Sequence, residues 1–96
     1  MKRYYCVCAF CALYLSLIHI SVLKEMLKKV EPHGIKLSLE FCGAPGMSIN
    51  RFEDAYAIVE EVGSPLVGIT LDQYHFHAMA SDWAALEKAD GKKIFG

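Results

Sequence analysis

From Val22 onward the apolar residues Val22, Leu23, Met26, Leu27 and Val30 recur at helical spacing with lysines on the opposite side, which predicts an amphipathic helix. Glu31-Pro32-His33-Gly34 ends it, because proline cannot continue a helix and glycine suits the turn. The period then drops to two: Ile35, Leu37, Leu39 and Phe41 alternate with Lys36, Ser38 and Glu40, as in a strand with one apolar and one polar face. The glycines and proline of residues 43–47 make a loop. Asn50 is placed to cap a second helix, with Glu53 completing a capping box and Phe52, Ala55, Tyr56, Val59 and Val62 as the buried stripe. After Gly63 and Pro65, residues 66–72 predict a second strand. Val67, Ile69 and Leu71 share one face, and Gly68, Thr70 and Asp72 the other. A third helix is expected from near Ser81, carrying Trp83 and Leu86, and Asp90-Gly91 turns the chain toward another strand at 93–95.

Helix and strand alternate throughout, which calls for right-handed crossovers and a parallel sheet. The strands are not uniformly apolar. In an open doubly wound sheet both faces meet helices, whereas a closed barrel has helices on one side only, so polar and small residues on the second face favour the barrel. A complete barrel needs about 250 residues, and this chain has 96. The expected fold class is therefore α/β: a partial TIM (β/α)8 barrel of two to three parallel strands with flanking helices, plus an apolar N-terminal segment. Open sheet edges and an uncovered face would make such a piece costly in water, so it is expected to be inactive alone and poorly stable.

Residues 1–21 read differently from the rest. Met1-Lys2-Arg3 followed by the apolar run from Tyr4 to Ile20 accounts for much of the 54% hydrophobic content. The string Leu15-Ser16-Leu17-Ile18-His19-Ile20-Ser21 resembles translated sequencing-adapter sequence. The first expectation is accordingly that 1–21 is a leader foreign to the parent of 22–96. A secretory signal or membrane anchor is the second reading, and a core strand the third. Cys6, Cys8 and Cys11 sit in that run without the second ligand pair a zinc ribbon needs, so reduced thiols are expected.

Ten basic against eleven acidic residues and a formal net charge of -1 give no field to gather nucleic acid or anionic lipid. The candidate chemistry lies at the strand ends. Glu40 and Asp72 occupy the same inward phase, and neighbouring strands are roughly 4.8 Å apart, so their carboxylates can share a divalent cation. Equally, each can cap a loop or pair with a lysine, and the spacing alone leaves both readings open. His75, three residues past Asp72, could hydrogen-bond a substrate oxygen or support a metal site. His77 has a weaker claim, and His19 and His33 read as surface or packing residues. Cys42 has no base beside it and reads as packing. Gly43-Ala44-Pro45-Gly46 lacks the spacing of a phosphate cradle.

Leu39-Glu40-Phe41, 52–59 (Phe-Glu-Asp-Ala-Tyr-Ala-Ile-Val), 71–79 (Leu-Asp-Gln-Tyr-His-Phe-His-Ala-Met) and 89–95 (Ala-Asp-Gly-Lys-Lys-Ile-Phe) together resemble the sugar phosphate isomerase/epimerase family, the xylose-isomerase-like barrels. The resemblance runs from about Val22 to Phe95 and is narrowest to the branch that acts on inososes in inositol catabolism. It implies a cytoplasmic, metal-dependent enzyme that moves a proton next to a ketone through an enediolate, on a small-molecule keto-sugar or inosose and not on nucleic acid. It implies Glu40 and Asp72 as the first two of four metal ligands, Glu40 also as an acid/base group, and His75 as a substrate-binding residue. The remaining ligands would lie beyond Gly96. The metal would be manganese, zinc, cobalt or magnesium. Rival readings are a ketose 3-epimerase of the same family, an endonuclease-IV-like metal nuclease, which the charge disfavours, and a non-enzymatic membrane-tethered or secreted protein.

Overall fold

A computed structural model describes the backbone of residues 3–8 and 16–96, with side chains from Leu17 onward. The first strand, β1 (Arg3–Cys8), is followed by helix α1 (Ser16–Val30), a 3-10 turn at Glu31–His33, β2 (Ile35–Glu40), α2 (Phe52–Val62), β3 (Val67–Thr70), α3 (Gln73–Ala78) and α4 (Trp83–Lys88). A second 3-10 turn at Gly91–Lys93 precedes the last residues. The sheet has the order β1-β2-β3, and both pairs are parallel, with Cys8 opposite Glu40 and Glu40 opposite Thr70. Consecutive strands lie side by side. Both α1 and α2 contact β2 and also each other, which places them on one face of the sheet, the arrangement of a barrel wall.

Alternation in β2 is what creates the two faces. Leu37, Leu39 and Phe41 are fully buried, as are Val67 and Ile69 of β3, and they join Leu23 of α1 and Phe52, Ala55, Ile58 and Val59 of α2 in one core. Each of these side chains larger than Ala55 contributes roughly 1.5–3 kcal/mol by leaving water. The aromatic centre is Phe52, whose ring meets Phe41 edge-on at 6.2 Å, stacks with Tyr56 at 5.6 Å and tilts against Phe76 at 5.9 Å.

Several boundaries differ from the sequence reading. The helix read from Val22 starts at Ser16, and Ile20 packs on the core while Val22 is exposed. Residues 3–8 stand in the sheet as a strand, the third of the three readings given to the leader. The side chains of Cys6, Cys8 and Cys11 lie outside the described residues. Asn50 does not cap α2: the cap position is Arg51, without a side-chain bond, and the Asn50 amide instead donates to Ala44 O at 3.3 Å. Glu53 turns away to accept the Asp82 N–H at 2.7 Å, and the buried Ser81 hydroxyl accepts the Phe52 N–H at 3.0 Å. The expected third helix starts at Trp83 rather than Ser81, with Asp82 as its cap. Helix α3 had no counterpart in the sequence reading. The strand expected at 93–95 is one residue late and brief: Ile94 bridges Ile69 in parallel, and Phe95 N–H reaches Ile69 O at 2.8 Å. Among the described residues no helix is long and apolar enough to cross a membrane.

Candidate metal centre

The second face of the sheet carries the polar row. Ser38 and Thr70 point to the same side, their hydroxyl oxygens 2.6 Å apart. Gly68 also belongs to this face, and it has no side chain because the Phe95 ring and Lys93 carbonyl occupy the place a Cβ would take. Two residues beyond Ser38 along this row is Glu40; two residues beyond Thr70 is Asp72. Shared phase thus brings both carboxylates to the carboxyl end of the sheet.

Strand β3 stops at Thr70, so Asp72 stands past its end as the N-cap of α3. Its Oδ1 accepts the N–H of Tyr74 at 2.8 Å and of His75 at 3.4 Å. This satisfies two donors that a helix start otherwise leaves open. The other oxygen of the carboxylate remains for a cation. Because α3 turns back immediately, His75 comes over the end of β2, with Nε2 3.7 Å from Glu40 Oε1. One ligand atom each from Glu40, Asp72 and His75 lies within 4.8 Å of the others, and all three residues are partly buried. Asp72 thus caps α3 and at the same time lies beside Glu40 and His75.

The donor set fits a divalent cation. Two carboxylates this close repel one another, and hard oxygen ligands converging beside an imidazole suit magnesium, manganese or zinc.

The remaining candidates lie elsewhere. His77 is exposed and lines an apolar cleft of about 490 Å³ with Tyr74, Phe76, Trp83 and Leu86. His33 is exposed in its turn. His19 Nε2 sits 3.4 Å from Ser48 Oγ, and Cys42 is a partly buried thiol. The sequence reading missed Gly43, whose N–H donates to His75 Nδ1 at 3.0 Å. A glycine opening the loop three residues after the strand-end carboxylate Glu40 was the available signal.

Comparison with known proteins places this geometry. Residues 19–96 match the family model of the xylose isomerase-like TIM barrel. The inosose isomerase of Bacillus subtilis (strain 168) is 50% identical over 76 residues, covering 79% of this chain and 27% of that protein. The inosose isomerase of Halalkalibacterium halodurans is 49% identical over 76 residues, with the same coverage of 79% and 27%. Among solved structures, the 1.8 Å crystal structure of the IOLI protein with a binding zinc atom superposes with a TM-score of 0.91 at 39% identity, over 96% of this chain and 35% of that one. The chain thus spans about a quarter of the length of the curated relatives it matches. With sequential parallel strands, helices on one face and a family match across most of its length, the chain belongs to the xylose isomerase-like TIM barrel family.

Proposed function

We propose that this chain is a segment of a metal-dependent inosose isomerase, contributing the first part of its metal site. The observation that carries the reading is the convergence of Glu40, Asp72 and His75 at the carboxyl end of the sheet, where barrel enzymes keep their chemistry. The names of the relatives at about 50% identity and the zinc in the IOLI structure support the substrate class and the metal.

Glu40 and Asp72 would hold the cation, which when bound would supply positive charge to offset the negative charge that develops on oxygen as a carbon-bound proton leaves. Glu40 takes that proton from the hydroxyl-bearing carbon next to the ketone, a proton is returned to the former carbonyl carbon, and the hydroxyl proton passes to the former carbonyl oxygen, so the carbonyl moves by one position. Asp72 keeps its place because α3 is built on it, and His75 hydrogen-bonds a substrate oxygen and orients it. The 96-residue chain alone turns over no substrate, since two carboxylates by themselves would leave the cation's coordination incomplete.

We propose further that residues 22–96 derive from the parent barrel and 1–21 from elsewhere. In support, the family match begins at residue 19, near that boundary; against it, Arg3–Cys8 fills a strand position beside β2 and the superposition on the IOLI structure covers 96% of the chain. Continuous sequencing coverage across Ile20 to Val22 would contradict it. The isomerase reading is tested in a complete protein built on this segment: Glu40→Gln should abolish inosose turnover, and unchanged turnover would refute the role. Substrate screening of the same protein separates an inosose isomerase from a ketose 3-epimerase.

A further inference from the structure

The ring of His75 is held by a backbone group. Gly43 N–H donates to Nδ1 at 3.0 Å, and Nε2 of the same ring faces Glu40 Oε1 at 3.7 Å. A ring nitrogen that accepts an N–H bond does so through its lone pair, so in the neutral imidazole the proton sits on the other nitrogen. We infer that Gly43 is a positioning residue whose amide fixes His75 with its proton on Nε2, turned toward Glu40 and the substrate side of the centre. The purpose of this arrangement rests on the proposed isomerase reading; the hydrogen bond does not.

The consequence is a division of labour among three groups whose ligand atoms all lie within 4.8 Å of one another. Nε2 in this state has no lone pair to give a cation, so His75 donates to an oxygen while Glu40 and Asp72 supply the ligand atoms. The geometry also explains why position 43 is glycine. A Cβ there would lie 2.6 Å from the His75 carbonyl oxygen, and 2.9 Å from both the His75 Cα and the Ala78 Cβ. Backbone cannot yield at that distance, so only a residue without a side chain lets the loop after β2 run close enough to α3 for its N–H to reach the ring. Gly46, three residues on in the same loop, has nothing within 4 Å of an added Cβ. It is the control.

The test is a through-hydrogen-bond nitrogen–nitrogen coupling experiment on the uniformly 15N-labelled chain at about pH 8.5, well above the ordinary imidazole range. A cross-peak joining the Gly43 amide nitrogen to His75 Nδ1, with the ring proton on Nε2, is expected. It should persist in Gly46→Ala and vanish in Gly43→Ala. Absence of the cross-peak from the unsubstituted chain, or a proton on Nδ1, overturns the inference without recourse to any variant. Zinc added in excess should leave the His75 Nε2 proton in place, and its loss would equally overturn the inference. Failure of zinc to bind a complete protein built on this segment, with the coupling intact, strikes the isomerase reading instead.

Discussion

Ser81 caps a helix that begins 29 residues before it: its buried hydroxyl accepts the Phe52 N–H at 3.0 Å. One residue on, the Asp82 N–H is accepted by Glu53 at 2.7 Å. The two bonds form a reciprocal pair like a capping box, divided between the start of α2 and the approach to α4. They tie the helix behind β2 to the segment that follows the site, which keeps α3 and its histidine seated over Glu40.

Ser81→Ala is expected to lower stability by about 1 kcal/mol, since a cap is lost and a buried N–H is left without a partner. Asn50→Ala removes only a 3.3 Å bond to Ala44 O and should cost about 0.5 kcal/mol. Denaturant midpoints of the two variants check the order. A larger loss at Asn50 would restore the local cap that the sequence suggests.

Gly68→Ala is expected to destabilise by about 1–3 kcal/mol through overpacking, because the new methyl group would meet the Phe95 ring and the Lys93 carbonyl at 2.6 Å. Gly91→Ala, with nothing within 4 Å of its Cβ, should be close to neutral. Thermal unfolding of both variants distinguishes a filled inner face from an open one.

Asp72 caps α3 and, in the proposed function, offers the same carboxylate to a cation, and two substitutions separate the roles. Asp72→Asn keeps a capping oxygen and should hold stability within about 0.5 kcal/mol, whereas Asp72→Ala loses the cap at about 1 kcal/mol. Both should lose cation binding. Unfolding midpoints read beside a manganese titration check the separation: a variant Asn that binds manganese as before would remove Asp72 from the ligand set.

How much of this was legible in the chain follows from the range of each interaction. The inward phase of Glu40 and Asp72 could be read because strand alternation is local and has a period of two. The barrel-like sheet followed from polar residues on one face of both strands. Helix α3 escaped because six residues, Gln73–Ala78, are too few to show a helical period, although Asp72 as a capping residue marked its start. The cap on α2 escaped for another reason: Ser81 and Phe52 meet only after the chain has folded, and a local candidate at Asn50 looked adequate. The Gly43–His75 bond is likewise tertiary. The start of α1 was hidden by the run of apolar residues before Val22, where Ile20 and Leu23 share the core-facing side but no polar break marks the first turn.

The central claim is that Glu40 and Asp72 bind one divalent cation between them. Paramagnetic broadening by manganese, read residue by residue in the amide spectrum of the chain, tests it most directly. The account predicts attenuation centred on residues 40–43 and 72–75 and abolished by Glu40→Gln. Attenuation that centres elsewhere, or that survives that substitution undiminished, would contradict it.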